Sequence, residues 1–350
     1  MTRRALALAA LLVVAAPRAG AEDAPPGWQP VWDYLVQDVC VDAAGAPLAG
    51  VTPLDDASRC PRHRDLRVGE PLTYHKHDWA NRDQRAAFPA GYQRSDAFPV
   101  RIRRLGLAVA QSFDFGPPDN RFDRVDRSDG GQIAVFSPAS VAFALTEDGG
   151  DGLQFFFGPA CASAADAGDR LRDSWVIVTH DFAPDRPGET VARLTQSWHR
   201  CPERLSYAFT RWHVRAMTWR VGLAGQALER TMTTLISDHF GGRDPARANH
   251  LERFYFTREL GNLRWERWEN LARQGDPIER ATAAARAADL ARGERCQAPV
   301  EPPAATGRWL LADCRQWTNL VPPGDAAGDP PGFWVDGLAA RPLTAPLFAE

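Results

Sequence analysis

From Leu105 to Asn270 the chain is a succession of short apolar runs, most of them alternating with polar residues and separated by clusters of Gly, Pro, Asp and Ser. Period-two alternation places successive side chains on opposite faces of a half-buried strand. The pattern predicts strands over 105–116, three strands within 131–158, and further strands over 174–182, 189–199, 205–221 and 231–240. Ser137-Pro138 and Asp148–Gly152 supply the turns in the second block, because glycine and aspartate tolerate the positive φ of tight turns. The segment "LSYAFTRWHVRAMTWRV" suits either period, and its β-branched and aromatic content favours strand. Closely spaced strands without intervening helices point to a mostly β chain: an antiparallel sandwich, jelly-roll-like, or a barrel. One helix stands out from Pro277 to about Arg292, with Asp276 as N-cap, Pro277 in the first turn and Gly293 to end it. The tail after it is Pro- and Ala-rich.

The densest stretch is "HLERFYFTRELGNLRWERWEN", His250 to Asn270, with five aromatics, four arginines and four glutamates. Gly261-Asn262 reads as a two-residue hairpin turn. That turn pairs Leu260 with Leu263, Glu259 with Arg264, Arg258 with Trp265, Thr257 with Glu266, Phe256 with Arg267 and Tyr255 with Trp268. Alternation then makes one core face of Phe254, Phe256, Leu260, Leu263 and Trp265. The opposite, more open face carries Arg253, Tyr255, Thr257, Glu259, Arg264, Glu266 and Trp268.

Composition adds a compartment. Residues 1–21 combine Arg3-Arg4, an apolar run from Ala5 to Ala16 and an Ala19-Gly20-Ala21 cleavage pattern, the form of a secretory signal. Secretion or a periplasmic location is therefore expected. The apolar run is shorter than the ~20 residues a membrane span requires, and no later segment qualifies. Six cysteines in an exported chain imply disulfides, and their spacing favours Cys40–Cys60, Cys161–Cys201 and Cys296–Cys314. A formal net charge of −3 gives no reason to expect nucleic acid as a partner. The expected organisation is a signal over 1–21, an irregular collar with short strands around Tyr34–Leu48 over 22–100, a main β domain over 101–275, and a helix with tail over 276–350.

The open hairpin face carries the candidate chemistry. Flat aromatics stack on sugar rings, and arginine and carboxylate groups bind hydroxyls. Glu259 and Glu266, as diagonal neighbours, would suit a glycosidic carboxylate pair. The expected ligand-binding residues are Tyr255, Arg264, Trp268, Arg253 and His239, the last as a general base beside the face. A polysaccharide or other glycan is the expected partner. The competing expectation is that Glu259–Arg264 and Tyr255–Trp268 are cross-strand pairs serving the sheet alone, in a non-enzymatic envelope scaffold or protein-binding module. His75 and His77 share a strand face and could ligate one metal only with a third ligand from elsewhere, such as Asp238, His239 or His250, and nothing in the chain fixes one. The acidic loop from Asp119 to Asp129 is interleaved with arginines and lacks calcium-loop spacing. No cofactor is expected, and nucleotide-binding and hydrolase-elbow motifs are missing.

Overall fold

The structure is a computed structural model. It describes residues 23–79 with short gaps, strand segments between 102 and 155, residues 176–196, residues 204–292 apart from 224–225, and residues 307–321 and 334–338. In chain order the elements are α1 (Gln29–Leu35), β1 (Asp38–Val41), β2 (Arg62–Asp65), β3 (His75–Trp79), β4 (Ile102–Leu105), β5 (Ala108–Ser112), β6 (Gln132–Phe136), β7 (Ser140–Glu147), β8 (Gly152–Phe155), β9 (Val176–Thr179), β10 (Gly188–Gln196), β11 (Arg204–Leu223), β12 (Gln226–Gly241), β13 (His250–Thr257), β14 (Gly261–Asn270), α2 (Pro277–Arg292), β15 (Trp309–Val321) and β16 (Trp334–Leu338).

The described chain is mostly β and its strand ladders are antiparallel. One sheet runs β10-β11-β12-β13-β14-β15-β3, with β16 beside β11. A second runs β4-β5-β6-β7-β8, with β9 beside β7. β1 and β2 pair by themselves. Among the described strands neither large sheet closes into a barrel. The ambiguous segment is the 20-residue strand β11, whose partner β12 runs 16 residues. The three strands expected within 131–158 are β6 to β8. The apolar run expected as one strand over 105–116 instead belongs to a hairpin, β4 turning into β5. α2 spans the residues expected, and Asp276 Oδ1 accepts the Ile278 N–H at 2.7 Å, an N-cap bond.

Three elements fall outside the sequence expectation. Tyr34 and Leu35, expected in a short strand, end the helix α1, which has a proline in its first turn and buries Val31, Trp32 and Leu35 on one side. β15 and β16 come from the stretch expected to be a tail, and β15 is the immediate neighbour of β14.

The main core lies where α1 and β9 meet one face of the large sheet. Trp32, Leu35 and Ile177 pack there in one cluster with Leu235, Phe254, Phe256, Leu260, Leu263 and Trp265. Thr210 and Ser237 donate their hydroxyls to the carbonyls of Val176 (3.1 Å) and Ile177 (2.7 Å), fixing β9 across the sheet. The Trp212 indole packs against Gly188, where a Cβ would meet it at 2.5 Å, so the close approach requires glycine. Cys40–Cys60 is bridged as expected and staples the β1–β2 collar. Cys314 is also bridged, to a partner outside the described residues, where Cys161, Cys201 and Cys296 also lie. No helix among the described residues is long and apolar enough to cross a membrane.

Candidate functional site

The β13–β14 hairpin turns earlier than expected. Its loop is Arg258 to Leu260, and Gly261 follows with φ of 62°. A three-residue loop closed by a left-handed residue is a standard hairpin form, and glycine adopts that conformation without a steric penalty. Tyr255 therefore faces Arg264, not Trp268, and Arg253 faces Glu266, with a bulge at Tyr255/Phe256. The slip is four residues along β14. An even slip leaves each side chain on its own face, so Tyr255, Arg264, Glu266 and Trp268 do share one, as the alternation implied.

That face is closed, which overturns the expectation of an open polar surface. Tyr255 is 1 % exposed, Arg264 and Glu266 0 %, and Trp268 5 %. The cause is visible in the register. Following partners across the sheet gives a row Glu189–Arg211–Asp238–Arg253–Glu266, alternating in charge over five strands. On one side of it runs an apolar row, Phe209–Phe240–Leu251–Trp268–Leu311. On the other runs His213–Ile236–Tyr255–Arg264–Gln316. Opposite charges placed directly across strands neutralise one another, so the face can be buried without isolated ions.

The contacts are specific. Arg253 donates from Nε (2.5 Å) and Nη2 (3.1 Å) to the two oxygens of Asp238, and Arg211 Nε reaches Asp238 Oδ2 at 3.3 Å. Burial pushes the Asp238 carboxyl up, but the two guanidinium groups outweigh it and bring it down to about 2. Burial likewise works against the Arg253 charge, and Asp238 holds that pKa well above the ordinary arginine value. Glu266 Oε2 accepts from Tyr255 Oη (3.0 Å) and Trp268 Nε1 (2.9 Å). Arg264 Nε sits 2.6 Å from Glu266 Oε1, a charge contact out of line for a hydrogen bond. Burial, followed by the Glu266 charge, raises the Tyr255 hydroxyl above its usual range. The Arg264 guanidinium also lies 6.0 Å from the Tyr255 ring centroid.

The expected carboxylate pair is not formed. Glu259 sits in the turn, off both strands, where burial raises its pKa and its charged neighbours are His63 and Arg258. Glu266 lies mid-strand among Tyr255, Trp268 and Arg264, and the two share none of these partners. His239 is also misplaced, because it projects to the opposite face, paired with Glu252. There its Nε2 meets Ser237 Oγ at 2.8 Å, its ring packs 5.0 Å from that of Phe254, and burial lowers its pKa to about 3. Arg211, central to the charged row, was not a candidate from sequence, and Asp238 was one only as a third metal ligand beside His75 and His77. Period-two reading from Ile236 to Phe240 puts Asp238 on the face of Arg253, but only the register makes them partners. His75 and His77 lie on β3, opposite Val321 and Asn319 of β15. The loop from Asp119 to Asp129 is outside the described residues. No cluster of three metal-ligating side chains occurs among the described residues.

An open space does exist on the other face, between α2 and the far end of the hairpin. This cleft of about 470 Å³ is lined by His250, Arg267 and Glu269 from the sheet and by Glu279, Thr282 and Arg286 from the helix. Its floor is pre-organised: Arg267 Nε donates to Glu269 Oε1 at 2.7 Å, and Gln274 Nε2 donates to Glu269 Oε2 at 3.3 Å. Burial, with Arg267 adding to it, lowers the His250 pKa to about 4, so this imidazole is neutral at physiological pH. Trp and Tyr are missing from its lining. No family model, curated protein or solved structure matches this chain.

Proposed function

We propose that the protein is an exported, non-enzymatic β scaffold or protein-binding module whose charged hairpin serves the sheet itself. What supports this reading most is the state of Glu266, the better-placed of the two carboxylates considered for catalysis. It is fully buried, and Tyr255, Trp268 and Arg264 all converge on it. A substrate would have to displace three partners to reach it. Export rests on the signal-like first 21 residues together with the collar disulfide. The contacts of β9 with the large sheet favour reading the two sheets as a sandwich.

A second reading retains polar-ligand binding, glycan included, and moves it to the cleft beside α2. The cleft size and its hydrogen-bonding lining favour it. Without an aromatic platform a sugar there would be held by hydrogen bonds alone, at lower affinity than stacking provides.

One experiment separates the readings. Polysaccharide binding and reducing-sugar release are measured on the wild type, Glu266→Gln and Arg286→Ala, with thermal melting of each. The scaffold reading expects no sugar release by any of them and a lowered melting temperature for Glu266→Gln. Sugar release by the wild type that vanishes in a stably folded Glu266→Gln would overturn it. Glycan binding lost in Arg286→Ala alone would establish the cleft reading instead.

A further inference from the structure

The tip of the charged hairpin is gripped by the disulfide-stapled collar, and the grip is built around two aspartates set directly opposite each other. In the β1–β2 ladder Asp38 pairs with Asp65, one step from the pair formed by Val39 and Arg64 and two from Cys40 and His63. Asp38 is fully buried. Like charges directly across strands repel, and two carboxylates sharing a desolvated site hold one proton between them. The same aspartate touches the hairpin. Its backbone N–H donates to the Arg258 carbonyl at 3.3 Å, and its Oδ2 lies 3.7 Å from Arg258 Nε.

The surrounding charges come from three elements. From β2, His63 Nδ1 is 2.6 Å from Asp38 Oδ2, while Arg64 is occupied by Glu70 at 2.7 and 2.8 Å. From α1, Asp33 lies 3.8 Å from Arg258, Tyr34 is close enough to feel Arg258 and Glu259, and Gln29 bridges Asp33 (2.5 Å) to Asp65 (2.9 Å). From the hairpin tip come Arg258 and Glu259. Four carboxyl groups thus face one arginine and one histidine.

We propose that the collar and the hairpin tip form a proton-held clasp, closed when Asp38, protonated, donates to Asp65 across the ladder and loosened when Asp38 is ionised. Release would uncover the apolar side chains that the collar and α1 cover, Leu260 and Phe256 among them. Burial is the first cause raising the Asp38 pKa to about 7, followed by its hydrogen bond and charge interaction with Asp65, against which His63 works. A carboxyl raised in the folded state stabilises below its unfolded pKa, and that stabilisation is lost as pH rises through the folded value. The clasp therefore weakens as pH climbs through 7. The buried histidines of the sheet, lowered to about 3 or 4, act in the opposite sense, adding stability as pH rises toward their ordinary value.

The test is amide hydrogen exchange on the full chain from pH 5.5 to 8.5, corrected for intrinsic exchange, reading peptides over 38–41 and 256–262. Wild-type protection at both should fall about tenfold between pH 6 and pH 8, with no fall over 209–217, where buried His213 adds protection as pH rises. Asp38→Asn, which imitates the protonated acid, should abolish that slope. Asp65→Asn removes the facing charge and leaves Asp38 buried, so it should lessen the slope, and it serves if the first variant folds poorly. A flat wild-type profile, a slope of opposite sign, a slope retained in a folded Asp38→Asn variant, or one undiminished in Asp65→Asn would each overturn the clasp.

Discussion

The two faces of the β13–β14 hairpin reach the same burial by different chemistry. One buries Phe254, Phe256 and Trp265 beneath α1 and β9, and hydrophobic transfer drives it. The other buries Arg253, Arg264, Glu266 and Tyr255, beside Asp238 of β12, where removal from water costs free energy that cross-strand pairing returns. The apolar face depends on volume and survives any even slip, which keeps its side chains on the core side. The charged face works only in one register, since a slip of two residues sets Arg253 against Ile236 in place of Asp238. The comparison teaches that a strongly charged strand face is not by itself an exposed face. A row of alternating sign can be internal, and it then specifies which strands meet and how.

Acidification should have the largest effect, because it acts on several groups at once. His213, His239 and His250 are lowered to about 4, 3 and 4 by burial. Their contribution is present above the ordinary histidine pKa and is lost as pH falls through the folded values, because the unfolded chain takes up those protons first. Asp238, lowered to about 2, adds to the loss only in stronger acid. The Asp38 carboxyl gains in the opposite sense between pH 7 and 4, but it is one group against three. Denaturant unfolding at pH 7 and pH 4.5 checks this, and equal stability at the two would contradict the burial assigned to the histidines.

The next effects test the equivalence of the two faces. Phe256→Ala should cost about 3–5 kcal/mol through the cavity it leaves. Asp238→Ala should cost about 3–5 kcal/mol through the Arg253 charge it strands. Replacing both members, as in Asp238→Leu with Arg253→Met, should recover most of the second loss and none of the first. Equilibrium unfolding of the four proteins decides it. If Asp238→Ala stays within experimental error of the wild type, the charged row is not an internal partner of the core.

Smaller losses grade the remaining contacts. Tyr255→Phe removes one donor from the Glu266 carboxylate and should cost about 1.5–3 kcal/mol, the range for hydrogen bonds to charged groups. Asp276→Ala removes the α2 N-cap and should cost about 0.5–2 kcal/mol. Because α2 forms one wall of the cleft, thermal melting of that variant paired with ligand titration would show whether the wall is needed for binding. A loss for Asp276→Ala larger than that for Asp238→Ala would invert the ranking and place the stability of the molecule in its C-terminal helix.

Much of the local structure was legible because it depends on near neighbours. The α2 boundaries follow from Asp276, Pro277 and an alanine-rich run. The strands β6 to β12 follow from alternation and turn residues. The Cys40–Cys60 bridge follows from the local spacing of the two cysteines. The membership of each hairpin face was also legible, since period two survives any even error in register. The misplaced turn shows the limit. Gly261 marks a turn in the sequence and has φ of 62°, yet a two-residue loop and a three-residue loop both use such a glycine, and only the pairing in the folded sheet selects between them.

What the sequence by itself determined is the mostly β class, the helix α2 and the two-faced pattern of the hairpin, because strand period, capping and turn chemistry act over a few residues. What only the tertiary structure decided is which face meets water. Glu189, Arg211, Asp238, Arg253 and Glu266 are spread over almost eighty residues of chain, and no local window contains the row they form. Charge neutralisation across strands is a property of the register of five strands together. A carboxylate that looks like a site when read along one strand becomes an internal partner once its neighbours on the adjacent strands are in place.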